Sequence, residues 1–162
     1  MTTDSISLAT FYRGWDVYQQ HLTKAIAPLT AEQLTLRAAP HLRSIGMLAT
    51  HIIATRANWF YGLMQVGGSE LEPITHWTRP ESPTRSADEL VQGFEVTWQM
   101  IQDALTQWTS ADLDYTFKGT WRGEPYALTR QWVIWHVIEH DLHHGGELSF
   151  SLGMYNLAAL DI

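Results

Sequence analysis

The segment WVIWHVIEHDLHHGGEL carries three histidines at intervals of four residues, His136, His140 and His144. Residues four apart share one face of a helix, so two neighbouring imidazoles of such a row can bind one metal ion. His51 lies in a second apolar segment far upstream and can supply a third nitrogen ligand from a facing helix. The residue types and their spacing therefore predict a metal site built from histidine.

Helix geometry limits which of these histidines can act together. His136 and His144 are eight residues apart, which is about 12 Å along a helix axis and too far for both to bind one ion at bond lengths of about 2 Å. The two histidines of this helix that bind one ion are therefore either His136 and His140 or His140 and His144. His143 is rotated by about 100° from His144 and is expected to point elsewhere. The spacing leaves both pairs open.

A carboxylate lies beside the second of these pairs, because Glu147 follows His144 by three residues. It could orient an imidazole, accept a proton from metal-bound water, or bind the ion itself. An equally weighted alternative is a structural role, in which the carboxylate caps a neighbouring group or faces solvent. Glu147 is therefore a predicted catalytic residue with a structural alternative.

Composition narrows the function classes. A net charge of -7, with only ten Lys and Arg in 162 residues, argues against a nucleic-acid partner. Cysteine is absent, so any metal must use nitrogen and oxygen ligands. No stretch approaches the roughly 20 apolar residues of a membrane span, and the first residues do not resemble a signal peptide. We expect a cytoplasmic protein without a membrane partner.

Apolar periodicity predicts four long helices in one domain that spans residues 1–162. The four segments cover about 7–27, 44–67, 86–108 and 128–152. Ser44 is a predicted N-cap, and Ser86 with Glu89 forms a capping-box pattern. Aromatic and β-branched residues with two glycines in 115–126 predict a short β-hairpin before the last helix. The expected fold class is all-α, a four-helix bundle with a hairpin.

Three further features of the sequence each allow a functional and a structural interpretation. The segment 65–85 is rich in glycine and proline and contains His76 and Trp77, so it is either a functional lid or a passive surface wrap. The eight tryptophans favour a core role, with a pocket for an apolar substrate as the alternative. The pair Gly145-Gly146 indicates a close helix approach or a ligand near the backbone, against a simple local bend.

A family resemblance covers nearly the whole chain. The stretches LTAEQLTLRAAPHLRSIGMLATHI and WHVIEHDLHHGGEL, with an aromatic-rich middle between them, together resemble the DinB/YfiT-like superfamily of metal-dependent four-helix bundles. That family has a histidine in its second helix, here His51, and an H-x3-H pair in its fourth, here His140 and His144. The resemblance implies that these three bind one divalent ion, either zinc, nickel, iron or manganese. It places His136 next to the ligands rather than among them.

The chain departs from the family pattern directly after the last ligand. It reads Gly145-Gly146-Glu147 where arginine, glycine and glutamine are usual. Any role of the usual arginine or glutamine is therefore not carried over to this chain.

The resemblance also implies a function. It extends to mycothiol-dependent maleylpyruvate isomerases and other low-molecular-weight-thiol S-transferases, in which a metal-bound water or thiolate is the working species. We expect a hydrolase or thiol S-transferase that acts on a small molecule, with or without a low-molecular-weight thiol as cosubstrate. Glu147 or His136 would support proton transfer, and His76 or Trp77 would close over the substrate.

A rival interpretation is a non-catalytic metal- or ligand-binding bundle, such as a stress-response protein with a structural ion. Structural zinc normally has four protein ligands. Because the sequence offers three, an open coordination position favours the enzyme. Large apolar residues along the helices, and the dimers common in the resembling families, predict a homodimer.

Overall fold

The structure, a computed structural model of the chain, describes residues 7–162. Within this range, four helices of 13 to 25 residues form a bundle and confirm the predicted fold class. They are α2 (Arg13–Ile26), α4 (Ile45–Ala57), α5 (Ala87–Gln107) and α6 (Arg130–Met154). Two short helices, α1 (Leu8–Phe11) and α3 (Ala31–Thr35), accompany them.

Helix starts follow the predicted capping signals. The Ser44 hydroxyl accepts a hydrogen bond from the backbone of Met47 at 3.2 Å and begins α4. Ser86 and Glu89 form the predicted capping box at the start of α5, with both reciprocal bonds present. The first predicted helix is divided, because Tyr12 has ψ 23 and separates α1 from α2. The break allows α1 to pack against α5.

The second predicted helix changes its winding before it ends. After α4, residues Asn58–Leu63 continue as a π-helix, which is wider than an α-helix and is often found near functional sites. Gln65 then adopts a left-handed conformation with φ 58 and leads into the segment 65–85. The continuous helix thus stops a few residues before the predicted glycine pair.

The predicted hairpin consists of β1 (Thr116–Trp121) and β2 (Glu124–Thr129), which pair antiparallel. Arg122 and Gly123 form the two-residue turn with φ 51 and φ 88, the positive values that a type I′ turn requires. The side chain of Thr129 then caps α6. The Arg130 guanidinium lies 4.3 Å from the ring centre of Trp108, so the start of α6 and the hairpin are held against the end of α5.

The segment 65–85 covers the α4–α5 side of the bundle. It contains two 3-10 turns, Ser69–Leu71 and Pro73–His76, and buries Leu71 and Ile74 in the core. Trp77 packs so closely on α5 that a side chain at Gly93 would collide with its ring. Among the described residues, no helix is both long and apolar enough to cross a membrane.

A buried ion pair joins three of the four long helices. Arg56 of α4 and Asp141 of α6 are both fully buried, and two guanidinium nitrogens lie 2.7 and 2.9 Å from one carboxylate oxygen. From α2, Trp15 donates to the same oxygen at 2.7 Å and Gln19 accepts from the guanidinium. Because a buried charge must keep its partners, this network fixes the rotation of α6 relative to α2 and α4.

Candidate metal centre

The packing of α4 on α6 brings three predicted ligands together. His51, His140 and His144 each offer a ring nitrogen within 4.8 Å of the other two. The Nε2 atoms of His51 and His140 are 3.0 Å apart, and the three ring centres are separated by 4.4 to 4.7 Å. Of the two pairs that the spacing left open, His140 with His144 is therefore the one that joins His51.

The surroundings of His51 and His140 favour the neutral form of both imidazoles. Burial, together with the positive charges of Arg43 and the neighbouring histidine, lowers the pKa of His51 to about 4. Burial and the other histidines lower the pKa of His140 to about 3. A neutral ring has the free lone pair that a metal ion needs. In the described part of the chain, His140 Nδ1 is also buried without a hydrogen-bond partner.

Glu147 lies behind the ring of His144. Its Oε2 is 2.7 Å from His144 Nδ1, which leaves Nε2 as the nitrogen that can bind an ion. Partial burial acts to raise the pKa of the Glu147 carboxyl, but the hydrogen bond to His144 and nearby positive charge lower it overall. The arrangement corresponds to the first of the three roles considered for this carboxylate, the orientation of an imidazole.

A second group of possible ligands lies outside the first and includes both His144 and Glu147. His143, His144 and Glu147 also lie within ligand distance of one another. The His143 side chain is 68% exposed, and its Nε2 is 3.6 Å from Glu147 Oε1. Since His144 and Glu147 already bond to each other, an ion in this outer group would have to displace that contact.

His136 lies one helical turn from the cluster, in an aromatic wall. Its ring stacks on Trp132 at 4.9 Å and 10°, and meets Trp59 edge-on at 4.8 Å. The ring centre is 6.4 Å from that of His140, and Nδ1 is 3.4 Å from a carboxylate oxygen of Glu139. His136 thus lies beside the three histidines rather than among them. Trp59, in the π-helix that follows α4, and Trp132 of α6 are its two aromatic neighbours.

Three functional candidates were missing from the sequence prediction. Thr55 Oγ1 lies 3.3 Å from His140 Nε2, and the Arg56–Asp141 pair holds the two helices in register. Their signals were present but weak: Thr55 follows His51 by four residues, and Arg56 and Asp141 are charges within apolar segments. By contrast, Trp77, a predicted substrate-closing residue, packs on α5 at Gly93.

The fold agrees with that of similar proteins. The sequence model of the DinB superfamily matches residues 11–148. This chain belongs to the DinB superfamily. No protein of curated function matches the sequence.

Two solved structures share the DinB fold. A DinB-like protein from Bacillus cereus has a TM-score of 0.72 and 22% sequence identity, and the match covers 98% of this chain and 99% of that one. A conserved protein from Enterococcus faecalis has a TM-score of 0.62 and 17% identity, over 84% of this chain and 89% of the other. At these identities the likeness establishes the fold alone.

The two glycines after His144 have different surroundings. A Cβ atom at Gly145 would lie 2.0 Å from the Tyr18 hydroxyl oxygen, so a larger residue between α6 and α2 would have to displace the Tyr18 side chain. Gly146 faces open space. The glycine pair therefore marks a close helix approach at its first member only.

Proposed function

We propose that the chain is a metal-dependent enzyme that binds one divalent ion through His51, His140 and His144. The observation that carries the proposal is the convergence of three ring nitrogens from two helices within 4.8 Å. The Nε2 atoms of His51 and His140 face each other at 3.0 Å, and a cation bound between them would use the lone pairs of both rings. Imidazole ligands suit several of the four candidate metals, zinc, nickel, iron and manganese, so the proposal specifies a divalent ion without naming the element.

An open coordination position favours catalysis over a structural role. In the described residues, the inner group contains three protein ligands, whereas structural zinc normally has four. Glu147 does not complete the set, because it bonds to the opposite nitrogen of His144. When bound, a divalent ion in such a site lowers the pKa of a water or thiol toward neutrality. A non-catalytic metal-binding bundle is the rival, and a fourth protein ligand would be its signature.

The proposed place for a small substrate is the aromatic surface beside the three histidines. Trp59, Trp132 and His136 form this surface one turn from His140, and Trp132 is 43% exposed. A flat or apolar part of a substrate can pack against these rings while its reacting group reaches the three histidines. His136 can exchange a proton with such a substrate, since its ring is only partly buried.

Two reactions are proposed. One is hydrolysis of a small molecule, and the other is an S-transferase reaction in which a low-molecular-weight thiol is the cosubstrate. Both reactions need ligands with free lone pairs and an open coordination position, and a set of three histidines is compatible with this need. The test is metal analysis of untagged protein, followed by hydrolase and thiol-transferase substrate panels with and without the ion. One ion per chain and metal-dependent turnover are expected. One tightly bound ion without turnover on either panel would favour the structural rival.

We also propose that the protein forms a homodimer through the outer face of α6. Trp135, Leu142, Phe150 and Met154 lie on this face, and between 49% and 64% of each residue is exposed. Their spacing follows helical periodicity, so they form one largely apolar stripe along the helix, in which the exposed Glu139 and His143 also lie. A second copy of the chain would remove this stripe from water.

A further inference from the structure

Threonines inside the helices of this protein usually bond back to their own helix. Thr23, Thr50, Thr97 and Thr106 each donate a hydrogen bond to the backbone carbonyl four residues earlier, at 2.8 to 3.1 Å. This is the ordinary way for a threonine to satisfy its hydroxyl within a helix. Thr55, in the middle of α4, instead directs its hydroxyl across to α6, where it lies 3.3 Å from His140 Nε2.

The Thr55 hydroxyl lies at the edge of the histidine cluster. Two groups meet His140 Nε2 from α4, His51 Nε2 at 3.0 Å and Thr55 Oγ1 at 3.3 Å. Ligands that share one ion at bond lengths of about 2.1 Å stand roughly 3 Å from one another. The hydroxyl thus lies as far from this nitrogen as a further ligand of the same ion would.

A metal ion on His140 Nε2 would leave the Thr55 hydroxyl in need of a new partner. The nitrogen would then have neither a lone pair nor a proton to share with it. A hydroxyl can donate one hydrogen bond and accept two, and the acceptors then within reach would be the backbone carbonyl of His51, four residues earlier, and a non-protein ligand in the open position of the metal centre. Thr55 lies on α4 four residues after His51, and its hydroxyl is directed toward the histidine cluster rather than to that carbonyl.

We propose that Thr55 is a positioning residue, whose hydroxyl donates a hydrogen bond to the non-protein ligand in the open position of the metal centre. The ligand class is a small anion or anionic group, such as a thiolate or a carboxylate, because a donor of this kind stabilises negative charge best. The inference rests on the proposed metal site and adds a selectivity element to it.

The test uses the cobalt(II)-loaded protein, with azide as the probe anion and visible absorption as the readout. Thr55→Val keeps the shape of the side chain and removes the hydroxyl, while Thr55→Ser keeps the hydroxyl as a matched control. We expect Thr55→Val to weaken azide binding by about 10-fold, the scale of one hydrogen bond to a charged group. Thr55→Ser should bind azide like the wild type, and all three should retain cobalt equally.

Several outcomes would overturn this assignment. If Thr55→Val and the wild type bound azide with equal affinity, the Thr55 hydroxyl would not donate a hydrogen bond to the anion. Loss of cobalt from Thr55→Val would make the hydroxyl a metal ligand instead. A wild-type protein that holds cobalt and binds no azide would lack an accessible open position. Failure to bind any divalent ion would contradict the proposed function itself, and metal analysis before azide is added distinguishes this case.

Discussion

The Nε2 atoms of His51 and His140 lie 3.0 Å apart, although 89 residues separate them in the chain. The contact exists because α4 packs on α6 in a rotation that the buried Arg56–Asp141 pair fixes. Asp141 directly follows His140, so the residue that holds the helix and the residue that faces the site are neighbours. The packing of the core and the geometry of the site thus depend on the same pair of helices.

Replacement of any one of the three clustered histidines by alanine should reduce metal affinity sharply. Loss of a group that merely orients a ligand costs about 10- to 100-fold, so loss of a ligand should cost more. His143→Ala is the matched control, because this exposed neighbour lies outside the inner group. Metal content after dialysis measures the effect. Full retention of metal by His140→Ala would contradict the ligand assignment.

Glu147 should act on the metal through His144. Glu147→Ala removes the group that holds His144 Nδ1 and should weaken metal binding by about 10-fold. Glu147→Gln keeps an oxygen acceptor of the same shape and should have a smaller effect. Metal titration and turnover are measured on the same samples. Intact metal affinity with turnover lowered by about 100-fold in Glu147→Gln would instead identify the carboxylate as a general base.

The two adjacent glycines should respond oppositely to alanine. Gly145→Ala places a methyl group against buried Tyr18 and should destabilise the fold by about 1 kcal/mol, after the gain in helix propensity is subtracted from the cost of overpacking. Gly146→Ala meets open space and should stabilise it by about 0.5–1 kcal/mol. Urea unfolding measures both. Tyr18→Phe combined with Gly145→Ala should recover stability; if it does not, the hydroxyl contact is not the cause.

Loss of one partner of the buried Arg56–Asp141 ion pair should strongly destabilise the fold. Asp141→Asn leaves the Arg56 charge in the core without its counter-ion and should cost about 3–5 kcal/mol of unfolding free energy. The double variant Arg56→Met with Asp141→Leu removes both charges and should be more stable than Asp141→Asn. Thermal and urea unfolding provide the comparison. A double variant less stable than the single one would show that the charges stabilise the fold beyond satisfying each other.

The outer face of α6 should mediate self-association. Light scattering at tens of micromolar protein is expected to show a dimer, and Phe150→Glu should shift it to monomer by placing a charge in the apolar stripe. Trp121→Glu is the control, since Trp121 is 70% exposed on β1, away from the stripe. A wild-type protein that is monomeric at this concentration would refute the dimer.

The sequence by itself determined the local structure. Apolar periodicity located the four long helices, Ser44 and the Ser86–Glu89 box marked where two of them begin, and the aromatic, glycine-containing segment predicted the hairpin. These features depend on neighbours a few residues away, so their signals are contiguous in the chain. The same holds for the histidine row, whose spacing showed that only adjacent members can share an ion.

Tertiary structure decided everything that depends on two helices at once. Spacing alone did not decide whether His136 or His144 is the partner of His140, although the family resemblance implied His144. In the structure, the rotation of α6 against α4 brings His144 to His51 and turns His136 toward Trp132 and Trp59. That rotation follows from the buried Arg56–Asp141 pair and the contact at Gly145, both formed between residues distant in sequence. Such contacts leave no periodic signal along the chain, because each one joins a few residues of two helices and does not repeat along either helix.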